Sequence, residues 1–128
     1  MLDRKNFYID GKWVSPAEPK NFKVIDPSNE EICAEISIGG KKDVDKAVSA
    51  AKKAFETWAF STKEERLELL EKLYVIYKKR WAEMAKLISL EMGAPMKFST
   101  EMQAATGASH IKSFKNILKD FKFEKDLG

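Results

Sequence analysis

Few side chains in this sequence are of the types that act as nucleophiles or acid–base groups near neutral pH. Cys33 is the only cysteine and His110 the only histidine among the 128 residues. A catalytic cysteine needs a cation, a helix N-terminus or a metal nearby to lower the pKa of its thiol. Cys33 instead stands beside Ala34 and Glu35 in a predicted strand, where the carboxylate would oppose thiolate formation. We therefore predict a structural role for Cys33.

His110 is alone, so neither a multi-histidine metal site nor a local Ser-His-Asp arrangement is available to it. The sequence also has no G-x-G-x-x-G and no P-loop, the glycine patterns that bind nucleotide phosphates. Gly39-Gly40 precedes a predicted helix but lacks the further glycines of a phosphate cradle. We predict no catalytic and no cofactor-binding residue in this chain, and a surface or packing role for His110.

Basic residues follow one side of the last predicted helix. They are Lys112, Lys115, Lys119, Lys122 and Lys125. A basic amphipathic helix can bind a membrane or an acidic partner. Asp120, Glu124 and Asp126 interrupt this side, and the net charge of the chain is only +3 from 23 basic and 20 acidic residues. We therefore predict a solvated face, and neither a nucleic-acid nor a membrane partner.

An aromatic stripe of Tyr74, Tyr77 and Trp81 recurs at helical spacing. Nucleic-acid bases could stack on such a stripe, but the platforms on which proteins stack bases usually lie on strands or loops among clustered cations. Because these aromatic residues stand among leucines, the spacing favours a place in the core.

Short strands are predicted before the helices. Phe7 to Ile9 and Lys12 to Val14 flank Asp10-Gly11, a pair that favours a two-residue hairpin turn because both central positions need positive φ. A strand is predicted from Phe22 to Asp26. Another is predicted from Glu31 to Ile38, where isoleucines and an alanine alternate on one face. Such short pieces bury little by themselves.

From Asp43 the apolar period changes from two to about 3.6, which predicts amphipathic helices. The stripe of the first helix consists of Val44, Ala47, Val48, Ala51, Phe55 and Trp58. Asp43 is predicted as its N-cap, because a short carboxylate can accept from free backbone amides. A second helix begins near Ser61 or Thr62, since Ser61 with Glu64 and Thr62 with Glu65 both match the capping box.

Gly93 and Pro95 predict a helix stop, because glycine adopts the left-handed cap and proline resists helix continuation. The last helix is predicted to begin near Ser99 or Thr100. Its predicted buried side consists of Met102, Ala105, Ser109, Ile111, Phe114, Leu118 and Phe121. The tail after this helix has no stop of its own, so we expect the chain to be part of a longer protein.

These elements predict an α+β fold that is predominantly helical, with short N-terminal β-strands followed by three to four amphipathic helices. We expect residues 1–128 to form a single partial domain. Its parts are strands and turns over residues 1–40, a helical hairpin over 43–93 and a further helix over 99–123.

Four segments together resemble the N-terminal region of the NAD(P)-dependent aldehyde dehydrogenase superfamily. In order, they are FYIDGKWV, VIDPSNEEICAEI, DVDKAVSAAKKAFETWAFSTKEERLELLEKL and ISLEMGAP. The resemblance implies the N-terminal part of a cofactor-binding domain. It also implies a full-length enzyme that oxidises an aldehyde to a carboxylic acid with NAD or NADP. The family's cysteine nucleophile, glutamate base and nucleotide segment all lie downstream of the matched region.

One binding site follows from the resemblance. Many family members hold a monovalent cation with backbone carbonyls at positions that correspond to Ile25 and Glu91, and the Glu91 carboxylate would suit a hard cation. A further oxygen of that site lies downstream.

We therefore expect this chain to be the N-terminal portion, or a truncated form, of an aldehyde dehydrogenase and to be catalytically silent alone. The alternative is a non-enzymatic helical module for interaction or oligomerisation, since its apolar stripes exceed what a small sheet can cover. Expected partners are the downstream part of the enzyme or a second copy, as in a homo-oligomer. A lone cysteine and the absence of a signal-peptide pattern predict a cytoplasmic location.

Overall fold

The structure is a computed structural model that describes residues 2–128. Five short strands precede the helices, and four of them were predicted from the sequence. The strands are β1 (Leu2–Arg4), β2 (Phe7–Ile9), β3 (Lys12–Val14), β4 (Asn21–Ile25) and β5 (Ile32–Ser37). The helices are α1 (Lys41–Trp58), α2 (Lys63–Lys79), α3 (Trp81–Met92), α4 (Met96–Phe98) and α5 (Ala104–Asp120), with a π-helical segment, Ser99–Gln103, before α5. The predicted class, a mainly helical α+β fold, is confirmed.

The strands form two small sheets. β2 and β3 pair as the predicted hairpin, and both turn residues have positive φ, 54° at Asp10 and 72° at Gly11. The second sheet has the order β1-β5-β4, in which β5 runs antiparallel to β4 and parallel to β1. The sequence did not reveal β1, because a three-residue strand shows no periodicity and depends on its neighbour for hydrogen bonds.

The chain divides into two compact units. The first contains the residues up to Phe60 together with Leu90–Gly93, and the second contains Ser61–Ser89 and Ala94–Gly128.

In the first unit, α1 begins at Lys41, so the prediction of Asp43 as the N-cap is wrong. Gly40 is the N-cap, with extended backbone at φ −98° and ψ 178°. Asp43 lies inside the first turn, and its carboxylate accepts hydrogen bonds from the Gly40 amide at 3.0 Å and the Ala17 amide at 2.8 Å. Asp43 therefore ties the strand region to the start of α1 while it completes the helix terminus.

In the second unit, α2 begins with the predicted capping box of Thr62 and Glu65. The Glu65 amide donates to Thr62 Oγ1 at 3.1 Å, and the Thr62 amide donates to a Glu65 carboxylate oxygen at 2.7 Å. Of the two capping pairs that the sequence allowed, Thr62 with Glu65 is the one that forms.

The apolar pattern from α2 into α3 is continuous, but the helix is interrupted at Arg80, whose φ and ψ are −98° and 11°. No glycine or proline marks this break. The Trp81 indole donates to the Thr100 carbonyl at 3.0 Å, and the Arg80 guanidinium makes two 2.8 Å hydrogen bonds to Glu83. One tertiary contact, from Trp81 to Thr100, and one local pair, Arg80 with Glu83, thus accompany a break that local propensity does not indicate.

The predicted stop at Gly93 is confirmed by its φ of 67°. The predicted start of the last helix near Ser99 or Thr100 is wrong, because helical backbone already begins at Met96, directly after Pro95. The Ser99–Gln103 segment then has π-helical geometry before α5.

The packed face of α5 differs from the predicted one. Ala104 and Ala108 are buried, and Ile111 and Leu118 are half-buried. Met102, Ser109, Phe114 and Phe121, which we predicted on the buried side, are exposed. The small residues face α2 because Tyr77 lies there: its hydroxyl donates to the Ala104 carbonyl at 2.8 Å, and a Cβ at Gly107 would lie 2.5 Å from that hydroxyl.

Candidate functional site

The turn after β4 is organised around the carboxylate of Asp26. The buried Asp26 carboxylate accepts hydrogen bonds from the Ser28 amide at 2.8 Å and the Ser28 hydroxyl at 2.6 Å. These two bonds lower the pKa of Asp26 below its ordinary value, and burial opposes them only partly. The Asp26 amide donates to the Glu31 carbonyl, and the Asp26 carbonyl accepts from the Glu30 amide, each at 2.8 Å. The turn therefore holds a charged carboxylate in a fixed conformation.

The end of α3 lies against this turn. A Cβ at Gly93 would lie 2.9 Å from Pro27 Cγ and 3.6 Å from the Ser28 amide nitrogen. Ile25 is the last residue of β4 and Glu91 belongs to the last turn of α3; both side chains are exposed. The two residues that the resemblance assigns to a cation thus belong to chain segments that meet at Pro27 and Gly93.

Neither candidate for chemistry acquires a catalytic neighbourhood. Cys33 is half-buried on β5, and its thiol donates a long 3.4 Å hydrogen bond to the Val24 carbonyl of β4. His110 is exposed on α5. Across residues 2–128, no three side chains of histidine, cysteine, aspartate and glutamate are grouped as metal ligands would be.

The aromatic stripe of α2 and α3 has the predicted packing role. Tyr77 and Trp81 are half-buried, meet edge to face with ring centroids 6.2 Å apart, and donate hydrogen bonds to backbone carbonyls. The basic side of α5 is less uniform than predicted. Lys115 is half-buried and forms an ion pair with Glu71 of α2, so it belongs to the packing of the second unit rather than to a free solvated face.

The apolar stripe of α1 remains exposed within the first unit. Val44 is 57% exposed, Val48 47%, Phe55 66% and Trp58 46%. The helix approaches the β2–β3 hairpin through a different side, where Ala50 is half-buried. At 3.6 residues per turn Ala50 lies outside the stripe, so the side of α1 that approaches the hairpin is not the stripe.

Residues 13–125 match the aldehyde dehydrogenase family. The chain belongs to that family. It is 42% identical to a 3-succinoylsemialdehyde-pyridine dehydrogenase of a Pseudomonas species, over 100% of this chain and 27% of that protein. It is 36% identical to a putative aldehyde dehydrogenase of Staphylococcus epidermidis, over 94% of this chain and 26% of that protein.

Solved structures of aldehyde dehydrogenases contain the same fold. The Bartonella henselae enzyme superposes with a TM-score of 0.97 at 50% identity, over 100% of this chain and 27% of that one. Aldehyde dehydrogenase C of Pseudomonas syringae, a mutant solved with NAD+ and octanal, gives 0.93 at 35% identity, over 97% of this chain and 26% of that one. The chain thus spans about a quarter of these relatives and corresponds to an N-terminal region.

The expectation of no catalytic and no cofactor-binding residue stays a prediction. Sequence reasoning placed Asp43 at the start of α1 but missed its hydrogen bond from the Ala17 amide. That amide is 26 residues away in sequence, and no local pattern indicates such a bond. No helix in the described part of the chain is long and apolar enough to span a membrane. Nothing observed favours the alternative of a stand-alone interaction module.

Proposed function

We propose that this chain is the N-terminal portion of an enzyme that oxidises an aldehyde to a carboxylic acid with NAD or NADP. The observation that carries the proposal is the match over the whole chain to an aldehyde dehydrogenase at 50% identity and a TM-score of 0.97. The nicotinamide cofactor would accept the hydride. The nucleophile, the general base and the cofactor site would come from residues outside this chain.

The start of α1 supports a cofactor site elsewhere. A dinucleotide phosphate could use free amides at such a helix N-terminus. Here the Asp43 carboxylate already accepts from the Gly40 amide, and hydrogen bonds from Ala17 and Gly40 lower the pKa of Asp43, which keeps it negatively charged. A phosphate at this position would meet a fixed negative charge and would lose one of its amide donors.

The exposed stripe of α1 would pack against the downstream part of the same enzyme. An apolar surface with a 66% exposed Phe55 and a 46% exposed Trp58 gains free energy when it leaves water, about 25 cal/mol per Å2 of apolar area. In this proposal residues 1–128 form one partial domain of the complete enzyme, which acts in the cytoplasm as a homo-oligomer.

We also propose a monovalent cation bound by the Ile25 carbonyl and by Glu91, completed by a downstream oxygen. The contact of Gly93 with Pro27 supports this arrangement, because it holds the two chain segments together. In the complete enzyme, replacement of Na+ or K+ by tetramethylammonium should lower the melting temperature. Glu91→Ala, which removes the carboxylate but keeps the backbone carbonyl, should reduce that ion dependence, whereas Glu101→Ala, an exposed control, should retain it in full.

The central proposal is tested by complementation. The purified chain alone should produce no NADH or NADPH from an aldehyde. The chain should restore production when it is co-expressed with the remainder of the Bartonella henselae relative, from which the matching N-terminal region has been deleted. Phe55→Asp should abolish this restoration, whereas Thr57→Asp, the same new side chain at an exposed position outside the stripe, should not. Activity of the chain alone, or equal activity with Phe55→Asp, would contradict the proposal.

A further inference from the structure

A groove of about 410 Å3 lies between the β2–β3 hairpin and α1, within the first unit. Ile9 and Val14 of the hairpin line it with half-buried apolar side chains. Ile9 pairs with Lys12 and Phe7 pairs with Val14, so all four side chains project from the same face of the hairpin. Tyr8 and Trp13 occupy the other face.

The opposite wall comes from one side of α1. Lys46, Ser49, Ala50 and Lys53 stand at positions i, i+3, i+4 and i+7, which share one face of a helix. This is the side that faces the hairpin, and it lies away from the exposed apolar stripe. The groove therefore combines a small apolar surface with lysines from two separate elements.

Charge in the groove is unbalanced. Lys12, Lys46 and Lys53 contribute three ammonium groups, whereas Asp10 is the only carboxylate in the lining. Within residues 2–128 none of these three lysines forms a salt bridge, although Lys46 lies close enough to Asp43 to help lower the pKa of that carboxyl. The lining thus carries a formal excess of two positive charges beside a serine hydroxyl.

We propose that this groove binds a phosphate monoester carried on a small apolar body. A phosphate monoester carries about −1.5 to −2 charges at pH 7, which matches the excess positive charge of the lining. Lysines bind phosphate as point charges, the Ser49 hydroxyl can donate to a phosphate oxygen, and Ile9, Val14 and Ala50 offer apolar contact. The volume lies within the range of small-molecule sites, about 300–1,000 Å3. This inference does not depend on the proposed oxidation of aldehydes.

The probe for the test is phenyl phosphate, titrated into the isotopically labelled chain and followed by backbone amide chemical shifts. Saturable shifts should centre on Ser49, Ala50 and Lys12. Inorganic phosphate should bind more weakly because it lacks the apolar body, and benzoate because it carries only one charge. Affinity should fall as ionic strength rises from about 0.01 M to about 0.1 M, where the Debye length shortens from about 30 Å to about 10 Å.

Charge variants decide whether the groove itself is responsible. Lys46→Gln and Lys53→Gln should each weaken phenyl phosphate binding by about fivefold, as expected for the loss of one charge at close range in water. Lys52→Gln removes the same charge from the same helix outside the groove and should change affinity by less than about twofold. Asp10→Asn should strengthen binding several-fold, and asparagine also tolerates the positive φ of that turn position.

Each result supports or overturns the inference. Equal losses from Lys52→Gln and Lys53→Gln would show general attraction to a basic surface and would overturn it. The inference is also overturned if the shifts fail to saturate at millimolar phenyl phosphate, or if Asp10→Asn leaves affinity unchanged. Circular dichroism of each variant checks that the fold is retained. The lysine variants should retain it because glutamine and lysine have similar helix propensities.

Discussion

Replacement of Gly107 by alanine tests the packing of α5 against α2. A Cβ at this position would lie 2.5 Å from the Tyr77 hydroxyl oxygen and 2.8 Å from Tyr77 Cζ. The ring would have to move by about 1 Å to reach ordinary van der Waals separation, and its 2.8 Å hydrogen bond to the Ala104 carbonyl would be lost or stretched.

The expected change in the free energy of unfolding is the sum of two destabilising effects and one stabilising effect. Overpacking of this kind costs about 1–3 kcal/mol, and a lost hydrogen bond costs about 1 kcal/mol. Alanine has a higher helix propensity than glycine, which offsets about 1 kcal/mol. We therefore expect Gly107→Ala to lower the free energy of unfolding by about 1–3 kcal/mol. For a chain of 128 residues this corresponds to a melting temperature lower by about 4–12 °C.

Urea unfolding followed by circular dichroism measures the change, with exposed Ser109→Ala on the same helix as the control. Tyr77→Phe removes the hydroxyl oxygen, which is the atom nearest to the Cβ added at position 107. The double variant Gly107→Ala with Tyr77→Phe should therefore be less destabilised than the sum of the single variants by at least about 0.5 kcal/mol. A stabilised Gly107→Ala variant would mean that helix propensity dominates, and it would refute the close approach of α2 and α5.

Three further predictions concern the caps and the helix stop. Thr62→Ala removes the acceptor of the Glu65 amide and should cost about 1 kcal/mol of stability in urea unfolding. Asp43 has a folded-state pKa below its ordinary 3.8, so its stabilisation is complete above that value and is lost as pH falls through the folded pKa. Acid titration of stability below pH 4 should therefore be shallower in Asp43→Asn. Gly93→Ala should cost about 1–3 kcal/mol, since φ is 67° and its Cβ would crowd Pro27.

Local chemistry made several elements predictable. Asp10-Gly11 predicts its hairpin because only a few residues accept two consecutive positive φ values, and Thr62 with Glu65 predicts its cap because the two bonds are reciprocal and three residues apart. Gly93 predicts a stop for the same steric reason as the hairpin glycine. In each case the decisive feature is local: either the torsions of one or two neighbouring residues, or hydrogen bonds between residues within four positions of one another.

Predictions that relied on packing were less accurate. Phe114 and Met102 are apolar at helical spacing, yet they are exposed, while Ala104 and Ala108 face α2. The sequence shows which residues are apolar but not which partner is present to cover them. The break at Arg80 was missed for a related reason: no glycine or proline marks it, and the Trp81 hydrogen bond that accompanies it reaches a residue 19 positions away in sequence.

The sequence by itself determined the family, the strand-then-helix order and the positions of the main turns and caps. All of these depend on local torsions, short-range hydrogen bonds or an ordered set of motifs. Tertiary structure alone decided that Asp43 joins Ala17 to α1, that Gly93 meets Pro27, and that the apolar stripe of α1 faces away from the hairpin. These outcomes depend on which segments meet in space, and side-chain periodicity carries no information about the identity of the neighbour.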